Sequence, residues 1–296
     1  MLRNLIDLLI LAALWGGSFL FMRVAAPEFG PVPLMALRVT IAGLFLLPAY
    51  WMKYRLAEWK ANAKQIFILG IIHSAVPFPL LAYSTLSLTA GFTSILNSTA
   101  PLFAAIVGWL WLKDRLTVAR VVGLVLGFLG VMVLLWDKAS FKAGGSDLAV
   151  AAALTAALLY GIGANYSNRR LRGLQPLVVT TGSQFSAALF LLPFAFWAVP
   201  STVPGFKAWA SVIALGVICT GIAYLLYFRL IANLGATGAI AVTFLMPVFG
   251  MLWGWLFLHE PVTGHMLAAT AIILMGTALT TGLIKLARQR RPAQRP

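Results

Sequence analysis

The chain has 296 residues, of which 61% are hydrophobic and 10% charged. Water-soluble domains carry about 25% charged residues, so the composition excludes one. A net charge of +15 suggests nucleic acid as a partner, but no motif that reads nucleic acid accompanies it.

Ten apolar runs follow one another at roughly 5–25, 33–53, 66–86, 92–112, 119–136, 148–168, 177–199, 209–231, 237–257 and 266–286. Each is near the ~20 residues that a bilayer core requires. Helices are the expected form, because they satisfy their own backbone in lipid and the alternating pattern of a membrane barrel is absent. The expected fold class is all-α integral membrane with ten transmembrane helices.

The basic residues follow this plan. With the N-terminus inside, 17 Lys and Arg residues fall on inside segments, from Arg3 through Lys53, Arg55, Lys113, Arg120, Arg169 and Arg229 to Lys285 and Arg288. Outside segments hold Arg23, Lys138, Lys142 and Lys207. This positive-inside bias places both termini in the cytoplasm. It accounts for the basic excess, with some attraction to anionic membrane lipid.

In the first run, Trp15 and Ser18 lie deep beside Gly16-Gly17. Paired glycines permit bending. The run has the outline of a signal peptide but is too long and too aromatic for one, so it is expected to be retained. Arg38 lies inside the second run. Snorkelling or a tie to carbonyls is favoured there over binding a substrate carboxylate. The third run carries His73, Ser74, Pro77, Phe78 and Pro79. Two prolines so close must disturb a helix, which makes the stretch a candidate hinge. His73 is either a satisfied core histidine or a substrate or proton contact.

The fourth run contains "ILNSTAP", residues 95–101. Pro101 cannot bond the carbonyl of Asn97, so the helix loosens there. Ser94, Asn97, Ser98 and Pro101 share one face. That face either packs on a neighbouring helix or lines a cavity.

Later runs repeat the theme: Tyr160 and Asn165; Thr180, Ser183 and Gln184; Thr220, Tyr224 and Tyr227; then "AVTFLMP", where Pro247 frees the carbonyl of Thr243. Trp109, Trp111, Trp253 and Trp255 read as interfacial belt residues. Gly123/Gly127 and Gly250/Gly254 are small-xxx-small packing pairs. The lone cysteine, Cys219, allows neither an intrachain disulfide nor a metal cluster. No cofactor or metal is expected.

The chain is duplicated. At an offset of 145, Trp15-Gly16 falls on Tyr160-Gly161 and "LFLLP" at 44–48 on the same letters at 189–193. At 146, Pro101 meets Pro247, Gly108-Trp109-Leu110 meets Gly254-Trp255-Leu256, Asp114 meets Glu260, and Gly130 meets Gly276. Five spans per half invert the second half relative to the first. Inverted repeats are a recurrent transporter architecture, with the binding site between the halves near the midplane. The repeats are placed at 1–143 and 144–286, with a basic cytoplasmic tail at 287–296.

"LWGGSFLFMR", "ALRVTIAGLFLLP", the stretch from "APLFAAIVGWLWLKDRLTVAR" through the fifth span, and "MPVFGMLWGWLFLHEPVT" resemble the EamA family of the drug/metabolite transporter superfamily. Within it, aromatic amino-acid exporters of the YddG type are the members to compare first. The resemblance implies ten helices and export or exchange of small metabolites at a bacterial inner membrane.

All seven acids lie at or near span ends. Proton and sodium coupling commonly use a mid-membrane carboxylate, so passive uniport or exchange is expected over proton-coupled export. A channel, or a membrane-embedded lipid enzyme needing converging acids or a metal, fits less well. The candidate substrate-binding residues are Trp15, Ser18, His73, Phe78, Ser94, Asn97, Tyr160, Asn165, Gln184, Tyr224 and Thr243. The candidate hinges are Pro77, Pro79, Pro101 and Pro247.

Overall fold

The computed structural model describes residues 2–54, 56–136, 146–239 and 241–283. The expected repeat junction at 143/144 and the basic tail at 287–296 lie outside these residues. So do several expected topology charges: Arg55, Lys138, Lys142, Lys285 and the arginines beyond it.

Ten apolar helices cross the described residues: α1 (Leu2–Phe29), α2 (Pro31–Trp51), α3 (Ala63–Ser87), α4 (Ala90–Leu112), α5 (Val118–Leu135), α6 (Asp147–Arg170), α7 (Pro176–Trp197), α8 (Phe206–Gly235), α9 (Val242–Leu258) and α10 (Gly264–Thr281). All but α9, which has 17 residues, are long and apolar enough to span a bilayer. Large apolar side chains stay exposed, among them Leu44, Trp109, Trp197, Phe206 and Phe257. Water would penalise such a surface, whereas lipid tails accept it. The protein is a multi-pass membrane protein.

The two halves interlock. Helix α1 packs chiefly on α8 and α9 of the second half, and α6 on α3 and α4 of the first. The second spans, α2 and α7, pack together, as do the fifth spans, α5 and α10. Small residues make the crossings close. A Cβ on Gly16 would sit 2.7 Å from the Cβ of Phe249, and one on Gly161 would sit 2.7 Å from the backbone N of Ala104. These contacts are equivalent in the two repeats. The glycines therefore serve close approach rather than bending. Trp253 also belongs to this crossing, not to an interfacial belt: its Nε1–H donates to the Ala13 carbonyl at 2.9 Å.

Three spans are irregular. In α3 a π-helical stretch, Ile71–Ala75, precedes Pro77. Val76 N–H reaches back five residues to the Ile71 carbonyl at 3.1 Å. The third span of the second repeat, α8, has its own π stretch, Ala214–Ile222. Within it, the Thr220 hydroxyl donates five residues back to the Leu215 carbonyl at 2.7 Å.

Helix α4 is broken into Ala90–Asn97 and Ala100–Leu112. Ser98 and Thr99 turn their hydroxyls onto the carbonyls of Ile95 and Leu96, both at 2.6 Å. Pro101 then starts the next segment, where a missing N–H costs nothing. The matched site in α9 differs from expectation: Val242–Leu258 runs unbroken through Pro247. Phe244 and Leu245 replace the serine and threonine there, so no hydroxyl stabilises a break.

Candidate functional site

A central cavity of about 600 Å³ lies between the halves. Trp15, Ser18, His73, Phe78, Asn97, Tyr160, Asn165, Tyr224 and Thr243 all line it. Such a volume suits a small-molecule site.

Two aromatic clusters line the cavity. On α1 and α8, the Trp15 ring lies 5.2 Å from Tyr227 and 6.3 Å from Tyr224, centroid to centroid. On α6 and α3, the Tyr160 ring lies 5.1 Å from His73 and 6.4 Å from Phe78. Trp15 and Tyr160 occupy matching positions in the repeats. A Cβ at Gly163 would come within 3.3 Å of His73, so the glycine leaves room for the imidazole.

The polar lining is sparse. Asn97 Oδ1 is buried without a hydrogen-bond partner among the described residues. Asn165 is less free: its amide donates to the carbonyls of Ala104 and Gly161, both at 2.9 Å, and ties α6 to α4.

Two expected site residues are elsewhere. Ser94 packs against Gly250 and donates to the Gly91 carbonyl at 2.7 Å. Gln184 is fully buried and donates to Ser74 Oγ at 3.3 Å, which joins α7 to α3. Ser94 is a packing contact between α4 and α9, and Gln184 a polar link between α7 and α3.

Sequence reasoning gave too little weight to Arg38. It does not snorkel, and it meets no carbonyl among the described residues. It is 6% exposed and lines the cavity. Its Nε donates to Thr220 Oγ1 at 3.0 Å, and its Cζ lies 4.1 Å from the Phe78 ring centroid. No carboxylate pairs with it among the described residues. The available signal was a cation inside a span with every acid confined to span ends.

The cavity lining reaches helix ends on one side only, at Asp114, Arg120, Asn168 and Thr281. Beyond Met22, at the opposite end, Glu260 and Arg23 tie three helices together. Glu260 Oε2 accepts from Ala90 N–H at 2.8 Å, and Oε1 lies 3.2 Å from Arg23 Nε. Arg23 also donates to the carbonyls of Thr85 and Leu86.

Asp114 is the repeat equivalent of Glu260. The two loops match closely: Lys113 and His259 are both left-handed, at φ 61 and 53. The following N–H bonds back to Gly108 at 3.2 Å and to Gly254 at 3.1 Å. The carboxylates differ. Asp114 borders the cavity mouth, while Glu260 ties Arg23 of α1 to the start of α4 at the far end. A further acid, Asp7, is buried in α1 and pairs with Arg229 of α8.

The EamA-like transporter family matches this chain twice, over residues 4–136 and 147–282. Uncharacterized transporter YoaV of Bacillus subtilis is 25% identical over 95% of this chain and 97% of its own. An uncharacterized transporter of Archaeoglobus fulgidus is 24% identical over 93% of this chain and 97% of its own. A probable terminal-alkyne amino-acid exporter of Streptantibioticus cattleyicolor is 23% identical over 92% of this chain and 91% of its own. A protein of known crystal structure shares the fold, with a TM-score of 0.64 over 95% of this chain and 97% of that one at 22% identity. The cavity between two interlocked repeats and the double family match agree, and the chain belongs to the EamA-like transporter family.

Proposed function

We propose that the protein exports amino acids, aromatic or hydrophobic ones first, or similar small metabolites, across a bacterial inner membrane. Both termini are placed in the cytoplasm, and the five-helix repeats 1–143 and 144–286 move against each other by alternating access. The observation that carries this reading is the central cavity, lined by matched aromatic clusters, open at one end and tied by Glu260 at the other. Basic residues concentrate at the open end, which makes it the cytoplasmic one. The probable amino-acid exporter among the relatives supports the substrate class. The π stretch before Pro77 and Pro79, the break before Pro101, and the start of α9 before Pro247 serve as hinges.

Transport is passive in this reading, since Asp114 at the mouth is the one carboxylate among the lining residues. One observation favours proton coupling instead. Burial holds the Glu260 carboxyl above the ordinary carboxylate range, although the Ala90 N–H and Arg23 oppose this. A carboxyl of that kind at a latch can take up a proton as the latch works.

Counterflow tests both. Liposomes containing the purified protein are preloaded with an unlabelled amino acid, and uptake of labelled tracer is followed with and without a pH gradient. Saturable uptake of an aromatic amino acid, indifferent to the gradient, is expected. A strict gradient requirement would transfer the case to proton coupling, and no uptake of any amino acid would remove the substrate assignment. In the same assay Trp15→Ala should weaken apparent affinity roughly tenfold, the scale of one aromatic contact with its buried area.

A further inference from the structure

The buried guanidinium of Arg38 has chemistry that the fold leaves unused. An arginine carries five N–H donors. Here Nε is taken by Thr220 Oγ1 at 3.0 Å, and Nη1 meets only the Met35 sulfur at 4.0 Å. Nη2 has no acceptor among the described residues, yet it is not among the buried polar atoms that are sealed off and unpartnered. The side chain borders the cavity. Phe78 lies 4.1 Å from Cζ, which leaves the Nη1/Nη2 edge for a ligand.

A structural arginine at this depth would be paired. Removing a cation from water costs several kcal/mol, and a carboxylate normally compensates. A hydroxyl and a ring do so only in part. The other ions of the lining, Asp114 and Arg120, stand at the mouth among helix ends. The deep half of the cavity thus carries one uncompensated positive charge beside two aromatic clusters.

We infer that Arg38 binds the carboxylate of the transported solute end-on through Nη1 and Nη2, and that the cavity selects a carboxylate attached to an aromatic or aliphatic body. This rests on the export reading above and narrows its substrate class. The two parallel N–H···O bonds are the geometry that arginine offers a carboxylate. Phe78, Tyr160 and Trp15 then receive the apolar body. No acid in the deep half answers an ammonium group, which is left to ring faces and Asn97 Oδ1. A carboxylate lacking the amine should therefore bind at least as well as the amino acid, and an amine lacking the carboxylate should not bind.

The test uses the full chain purified in detergent. Thermal stabilisation is titrated with phenylalanine, 3-phenylpropionate, phenylalanine amide and phenethylamine. The two carboxylates should stabilise, and the amide and amine should not. Arg38→Gln should raise the concentration needed by at least ~10-fold, the scale of losing charge-assisted bonds, and Arg38→Lys should recover part of it. If Arg38→Gln fails to fold, the wild-type panel still decides. Equal stabilisation by amide and acid, or no response to any of the four, overturns the inference. Counterflow with the same four solutes separates the two readings. Transport of amide or amine as fast as acid keeps the exporter and discards the Arg38 anchor. Arg38-dependent carboxylate binding without counterflow keeps the anchor and discards transport.

Discussion

Gly276→Ala lowers the melting temperature of the purified protein, and Gly276→Leu keeps α5 and α10 from closing on each other. A Cβ at Gly276 would stand 2.5 Å from both the Gly123 carbonyl oxygen and the Gly127 nitrogen. These are backbone atoms and cannot swing aside, so the helices must separate. In lipid this is costly, because no hydrophobic drive holds two helices together and close packing supplies most of the association. Overpacking of this kind costs roughly 1–3 kcal/mol for one methyl group and more for a larger side chain. Gly264→Ala, on the same helix, is the control. A Cβ there meets nothing within 4 Å, so its melting temperature should hold or rise slightly. Equal effects from the two alanines would refute the close-packing account.

Glu260→Ala opens the latched end. In wild type the carboxylate holds Ala90 N–H at 2.8 Å and Arg23 at 3.2 Å, with side chains only 10% and 15% exposed. Removing it leaves the first N–H of α4 without a partner and Arg23, a half-buried cation, with only the carbonyls of Thr85 and Leu86. Breaking one side of a buried pair costs about 3 kcal/mol or more, and the latched conformation bears that cost alone. Met22 lines the cavity next to the latch. In a Cys219→Ser background, Met22→Cys should react with an impermeant maleimide from the latched side on the order of 100-fold faster once Glu260→Ala is added. Glu260→Gln should fall between. A lower melting temperature with unchanged labelling would show that the residue staples the fold and does not gate it.

The sequence yields the helix plan because apolar length and positive charge act locally. The run at 33–53 becomes α2 at Pro31–Trp51, and the duplication pairs Trp15 with Tyr160 across the cavity. Depth and polarity do not say which neighbour claims a side chain. Gln184 and Asn97 look alike on a span, but the Gln184 amide N–H bonds Ser74 on the facing helix, while Asn97 lines the cavity with Oδ1 unpartnered among the described residues. Pro101 and Pro247 occupy matched positions, yet only the copy with Ser98 and Thr99 breaks its helix. Arg38 was visible as a cation inside a span, but its burial, and that no acid among the described residues pairs with it, are properties of the assembled bundle. The Glu260 latch joins residues more than 160 positions apart, Ala90 and Glu260, and no local pattern announces it.

The central claim is that the cavity between the repeats is the transport site, and filling it is the most direct test. Ala164 lines the cavity from α6. Counterflow of an aromatic amino acid is measured in liposomes with wild type and with Ala164→Trp, each first shown to melt cooperatively near the same temperature. Rapid saturable counterflow in wild type and its loss in the filled variant are the predicted result. Undiminished counterflow through the filled cavity would contradict the account.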